Sequence, residues 1–188
     1  LRTATILFAD LKGSTEIVAA LDPEAATLRV KPIIQEMTQA VQASGGTSVE
    51  IRGDGVLAMF TDDEAEGEHA FAAARAALEI QRRFRLLAGA PPVRIGVHTG
   101  EVVVTHERGA LQLSGASVYL AARLEQAAEP GTILVSDDTY RSARPWISGR
   151  SRGKMRFKGF ESACDVWELR EAHSHSRWRA RAALGLSP

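Results

Sequence analysis

The chain is poor in three things, and each absence excludes something. Cysteine is nearly missing: Cys164 is the only one among 188 residues. No intrachain disulfide is possible, and a reducing, cytoplasmic compartment fits best. Net charge is missing: 23 Lys and Arg balance 23 Asp and Glu, so no overall field draws in nucleic acid or an anionic membrane. Long apolar runs are missing too. None approaches the roughly 18 residues that span a bilayer, and nothing has the pattern of a signal peptide. Internal repeats and low-complexity segments are also lacking.

What is present suits a soluble globular protein, with 45% apolar and 24% charged residues. The length suits one well-packed domain rather than two. Leu1 already lies in what reads as a core strand, so the chain is expected to be part of a longer protein. One domain is expected over residues 1–170. A polar arm over 171–188 (EAHSHSRWRARAALGLSP) leads toward a further domain.

Thr3 to Phe8 is short, β-branched and apolar, which predicts a buried strand ending in a turn over Ala9–Thr15 that opens a helix. Asp22-Pro23 predicts a helix start. Leu28, Ile33, Ile34, Met37 and Val41 recur at helical spacing until Gly45-Gly46. Thr47–Ile51 and Val56–Phe60 read as a hairpin closed around Asp54-Gly55. An Ala-rich helix follows over 64–88. Val93–Val104 reads as a strand pair or one bent strand, with Thr99-Gly100-Glu101 at its middle. Helices over about 116–128 and 137–143 alternate with strands at 132–135, 153–158 and 164–169. This order suggests an α+β, ferredoxin-like sandwich with a mainly antiparallel sheet.

Two aspartates stand at places where they can converge, Asp10 at the end of the first strand and Asp54 at the hairpin tip. Hard carboxylate oxygens there suit Mg²⁺ or Mn²⁺. The plain alternatives are a helix cap for Asp10 and a favoured turn residue for Asp54. Gly13-Ser14-Thr15 leads into a helix, where free N–H groups suit a phosphate; the alternative is a tight turn that needs small residues. The P-loop pattern is absent.

Several short motifs in register carry a resemblance. Phe8–Thr15 (FADLKGST), Arg52–Phe60 (RGDGVLAMF), Arg94–Val102 (RIGVHTGEV), Ser114–Glu125 (SGASVYLAARLE), Pro130–Ser136 (PGTILVS) and Phe157-Lys158-Gly159 follow one another over about residues 3–169. Together they resemble the catalytic domain of class III nucleotide cyclases, which convert ATP or GTP to a 3′,5′-cyclic nucleotide and pyrophosphate. The resemblance implies the nucleotide cyclase fold and two Mg²⁺ or Mn²⁺ ions on Asp10 and Asp54, helped by the Leu11 carbonyl. It also implies Lys158 on the triphosphate and Arg123 on charge developing at the α-phosphate. In this family the site lies across a head-to-tail dimer, so a homodimer with two shared sites is expected.

The chain departs from the family at Tyr119, where an Asn usually holds the ribose. A tyrosine hydroxyl can donate a hydrogen bond there; interface packing is the alternative. The base-reading positions fall at Glu50, four before Asp54, and at Gln112, three before Gly115. Glu50 with Gln112 has the hydrogen-bonding pattern for guanine, whereas bacterial members mostly use ATP, which is slightly favoured. Glu50 is otherwise an ordinary exposed strand residue. His69 and His106 look isolated, His98 lies in a strand, His173 and His175 fall in the arm, and Glu101 suits a turn. An inactive nucleotide-binding or dimerisation module is the second reading. A diguanylate cyclase shares the paired carboxylates but has a GGDEF-type signature that is absent here.

Overall fold

The computed structural model describes residues 1–13, 23–52, 54–61, 68–107, 109–144 and 146–173. Side-chain alternation organises it from the first strand. In β1 (Arg2–Leu11), Leu7, Ala9 and Leu11 are buried in one core, and Ala4 and Ile6 in another. Both faces of this strand are covered, which is why it reads as a continuous apolar run. The strand runs further than expected, since Ala9, Asp10 and Leu11 still pair with Ile95, Arg94 and Val93, and the turn begins at Lys12.

Helix α1 (Pro23–Ala43) buries Ile33, Ile34, Met37 and Val41 of the expected stripe, with Ala40, but leaves Leu28 exposed. It closes with Gly46 N–H donating to Val41 O and Gly45 N–H to Gln42 O, a Schellman ending. β2 (Thr47–Arg52) and β3 (Gly55–Phe60) form the expected hairpin. Arg52 pairs with Gly55, so the connecting residues are 53 and 54. Helix α2 (Glu68–Leu86) packs Ala70, Ala73, Ala77 and Ile80 into the same core as α1.

β4 (Val93–Glu107) corrects a sequence expectation. It is one strand of 15 residues, and Thr99, Gly100 and Glu101 pair with Thr5, Ala4 and Thr3 rather than turning. Glu101 is therefore a strand residue. β5 (Ala110–Ser114), not anticipated, pairs back on the far half of β4. Then come α3 (Ala116–Ala127), β6 (Ile133–Ser136), α4 (Asp137–Ala143), β7 (Ile147–Met155) and β8 (Cys164–Ala172). β7 starts earlier than expected because Ser-Gly-Arg-Ser-Arg at an exposed edge carries no apolar alternation. β8 includes Glu171 and Ala172; residues 174–188 of the expected arm lie outside the described residues.

The sheet order is β2-β3-β1-β4-β6-β8-β7, with β5 on β4 alone. Neighbours are antiparallel except β4 and β6. This mostly antiparallel α+β sheet agrees with the expected class. A parallel pair needs a crossover, and α3 is that crossover. It lies on the face opposite α1 and α2, in a core with Ala4, Ile6, Leu57 and Val102.

Candidate active site

The position of α3 depends on a glycine of β4. A Cβ on Gly96 would overlap the backbone of Ala121 and Glu125. With hydrogen there instead, the helix rests directly on the strand. Ala121 then reaches the apolar core while Glu125, on the same helical stripe, comes down beside Arg94.

The acidic centre is assembled by strand register. Asp10 pairs with Gly55, next to Asp54, and Leu11 N–H donates to Asp54 O at 3.3 Å. On the other side of β1, Asp10 is opposite Arg94. The Arg94 guanidinium is 3.0 Å from Asp10 Oδ2 and 2.9 Å from Glu125 Oε1. The first contact is a hydrogen bond. The second is a close ion pair off the hydrogen-bonding axis, which leaves Arg94 Nε and Glu125 Oε1 without hydrogen bonds.

Burial pushes the Asp10 carboxyl above its usual range. The Arg94 hydrogen bond opposes that shift, and the Asp54 charge adds to it. Glu125 is pushed up to about 7, chiefly by burial, with Arg94 opposing and both aspartates adding. Asp10 and Glu125 share the Arg94 guanidinium and both feel the Asp54 charge, so negative charge is crowded here.

Among the described residues no group of three or more His, Cys, Asp or Glu has a metal-holding arrangement. Two carboxylates and a backbone carbonyl suit an ion that keeps water and substrate phosphates as its other ligands, as Mg²⁺ does. Asp10, Asp54 and Leu11 fit that group. Gly13 has a positive φ of 81° in the turn that follows β1, while Ser14 and Thr15 lie outside the described residues.

The remaining predicted residues gather elsewhere. A cavity of about 300 Å³ is bordered by Asp10, Gly55, Ser114, Tyr119 and Glu125. A second, of about 580 Å³, is bordered by Tyr119, Arg123, Lys158 and Glu161. Tyr119 is common to both and 68% exposed. Lys158 is displayed by a turn in which Phe160 N–H donates to Phe157 O, and Gly159 takes φ 94°. That geometry admits glycine readily. Phe157 and Phe160 anchor the turn against Leu120, Leu124 and Val166. The Arg123 guanidinium donates to Gln126 Oε1 at 2.7 Å.

Glu50 and Gln112 border neither cavity. Glu50 is half-buried on β2 opposite Leu57; Gln112 is exposed on β5 opposite Thr105. Their two strands lie against one another.

Arg94 and Glu125 were in the quoted motifs, but no role was read for them. A signal for Glu125 exists in the sequence: it falls in the stripe of Ala121, Leu124 and Ala128, where a charge is out of place. Arg94 becomes meaningful only through its register with Asp10. His69, expected to be isolated, is bonded to the Thr5 hydroxyl at 2.7 Å. Buried bonds continue from Thr5 through Thr99, Thr139 and Ser136 to His98. Burial lowers the His98 pKa, and the run of bonds knits β1, β4 and α4 together.

Residues 1–170 match the family model of the adenylate and guanylate cyclase catalytic domain. Adenylate cyclase 1 of Rhizobium meliloti is 29% identical over 179 residues, covering 88% of this chain and 27% of that protein. This chain therefore spans about a quarter of that relative. The adenylyl cyclase CyaB of P. aeruginosa superimposes with a TM-score of 0.79 at 28% identity, covering 92% of this chain and 98% of that one. The guanylyl cyclase Cya2 superimposes with a TM-score of 0.84 at 27% identity, covering 93% and 95%.

Proposed function

The chain belongs to the adenylate and guanylate cyclase catalytic domain family, and on that premise we propose that it converts a purine nucleoside triphosphate to its 3′,5′-cyclic monophosphate and pyrophosphate in intracellular signalling. ATP is the substrate proposed ahead of GTP, supported by relatives named adenylate cyclase. Glu50 and Gln112 would read the base from adjoining strands.

One observation carries the arrangement of the site. Asp10 borders one cavity, and Arg123 and Lys158 border another, with Tyr119 between them. These two cavities are read as the two half-sites of one chain. A head-to-tail homodimer would join the acidic half of one protomer to the cationic half of its partner, giving two equivalent sites.

In the reaction the ribose 3′-oxygen bonds to the α-phosphorus, the bond to pyrophosphate breaks, and the hydroxyl proton leaves to solvent. Two divalent ions on Asp10 and Asp54, with the Leu11 carbonyl, would neutralise the phosphates and acidify that hydroxyl. Arg123 stabilises charge on the α-phosphate. Lys158, on its anchored turn, holds the triphosphate tail, and Gly13 with Ser14 and Thr15 gives backbone N–H groups to phosphate oxygens. Tyr119 donates a hydrogen bond from its hydroxyl to the ribose. Most of the acceleration then comes from positioning and charge.

A second reading, a nucleotide-binding or dimerisation module without turnover, is favoured by tyrosine at 119. The test is to incubate the purified domain with Mn²⁺ and ATP or GTP and measure cyclic product. Mixing Asp54→Ala with Arg123→Ala should restore part of the activity that each variant lacks. Subunit exchange without complementation overturns the shared site, and nucleotide binding without product favours the module.

A further inference from the structure

Arg94 stands between two carboxylates, and only one belongs to the proposed metal site. The second, Glu125, is buried, shifted toward its neutral form and short of a hydrogen bond at Oε1. Burying such a group is unfavourable unless its charge has a use. A glutamine or leucine would fill this helix position without that penalty. The fold also commits to the contact elsewhere, since Gly96 must lack a side chain for Glu125 to sit against β4 beside Arg94.

The geometry explains the use. Arg94 has 19% of its side-chain surface exposed and makes a direct ion pair with Asp10 at 3.0 Å. A guanidinium on Asp10 is a direct competitor of any metal ion that needs the same oxygens. With Asp10 as its only partner, Arg94 would hold on strongly, because leaving would strand a buried charge. Glu125 offers a second acceptor 2.9 Å from the same nitrogen, Nη2.

We propose that Glu125 is a positioning residue for Arg94, and that the pair sets metal affinity. Arg94 and the divalent cation are alternative counter-charges for Asp10, and Glu125 retains the arginine when the cation takes Asp10. This rests on the reading of Asp10 and Asp54 as metal ligands.

The test reads Mn²⁺ affinity directly, by electron paramagnetic resonance of the purified domain at pH 8 without nucleotide. Glu125→Gln should weaken Mn²⁺ about tenfold, and Arg94→Ala should tighten it by a similar factor, the order expected of one unit charge at a partly screened site. Arg94→Gln serves equally if the alanine variant does not fold, and melting curves confirm that each variant is intact.

A general charge effect would also weaken binding in Glu125→Gln, so the double variant decides. In the Arg94→Ala background, Glu125→Gln should change Mn²⁺ affinity by less than about twofold. A full effect in that background overturns the proposal, as does Glu125→Gln binding like the wild type. If the wild type binds no better than Asp10→Asn, the metal reading itself fails and this inference falls with it.

Discussion

The two faces of the sheet are covered in different ways. On one, α1 and α2 press a broad apolar surface against Leu7, Ala9, Ala58, Phe60 and Ile95, with Met37, Val41 and Ile80 fully buried. On the other, α3 is seated on Gly96, with Arg94, Asp10 and Glu125 beside it. The first face is built as an interior is built, from close packing of side chains in a dry layer. The second places charge in a partly buried setting, which is unfavourable for stability and useful for chemistry. Stability should therefore reside mainly on one face and activity on the other.

The largest effect expected is on the charged face. Asp10→Ala or Asp54→Ala should lower cyclic nucleotide formation by about 10³-fold or more, the scale of losing preorganised charge at a reaction centre. The melting temperature should stay near that of the wild type, since each variant also relieves repulsion. Substantial activity in either would end the separation of roles.

On the other face, Met37→Ala should destabilise the fold by about 2–5 kcal/mol through lost burial and the cavity left behind. Denaturant unfolding measures it, and turnover per folded molecule should be unchanged. An equal fall in turnover would show that the two faces are coupled.

Gly96→Ala tests the seat of α3. The added methyl group has no space, so the helix must lift, at about 1–3 kcal/mol for an overpacked site. Activity should fall further than stability does, because Glu125 and Tyr119 move with the helix. A fully active, equally stable variant would remove the close contact from the argument.

The pH dependence is smaller. Glu125 is raised from 4.5 to about 7 by burial, with Asp10 and Asp54 adding and Arg94 opposing. Between those pH values the folded protein holds a proton that the unfolded chain has released, so this group's contribution to stability falls as pH rises through that window. Glu125→Gln should flatten that part of the stability curve and gain about 1–3 kcal/mol at pH 8. A curve of unchanged shape would mean that Glu125 titrates normally.

Much of the fold was legible because it is set by local chemistry. Helical spacing marked α1 through Met37 and Val41, and the glycine pair marked its end. Apolar β-branched runs marked β1 and the β2–β3 hairpin. β5 and the first half of β7 were not legible: Ala110–Ser114 is only five residues long, Ser148–Arg152 has no apolar alternation, and the pairing of both is decided by neighbouring strands. Gly100 within β4 resembled a turn because glycine punctuates loops, yet here it lies in a strand opposite Ala4.

The site divides along the same line. The sequence by itself named the side chains that are candidates for the chemistry, because motif order depends only on residue type and spacing. Asp10, Asp54, Tyr119, Arg123 and Lys158 could all be named from it, and so could the fold class. Only the tertiary structure decided how they are grouped. The crossover of α3 onto the second face puts Asp10 in one cavity and Arg123 with Lys158 in another. Strand register sets Arg94 against Asp10, and a helix resting on a glycine brings Glu125 to the same guanidinium. These contacts join residues 84 and 31 positions apart. Their energy comes from burial and charge in a shared environment, which no local pattern of residues encodes.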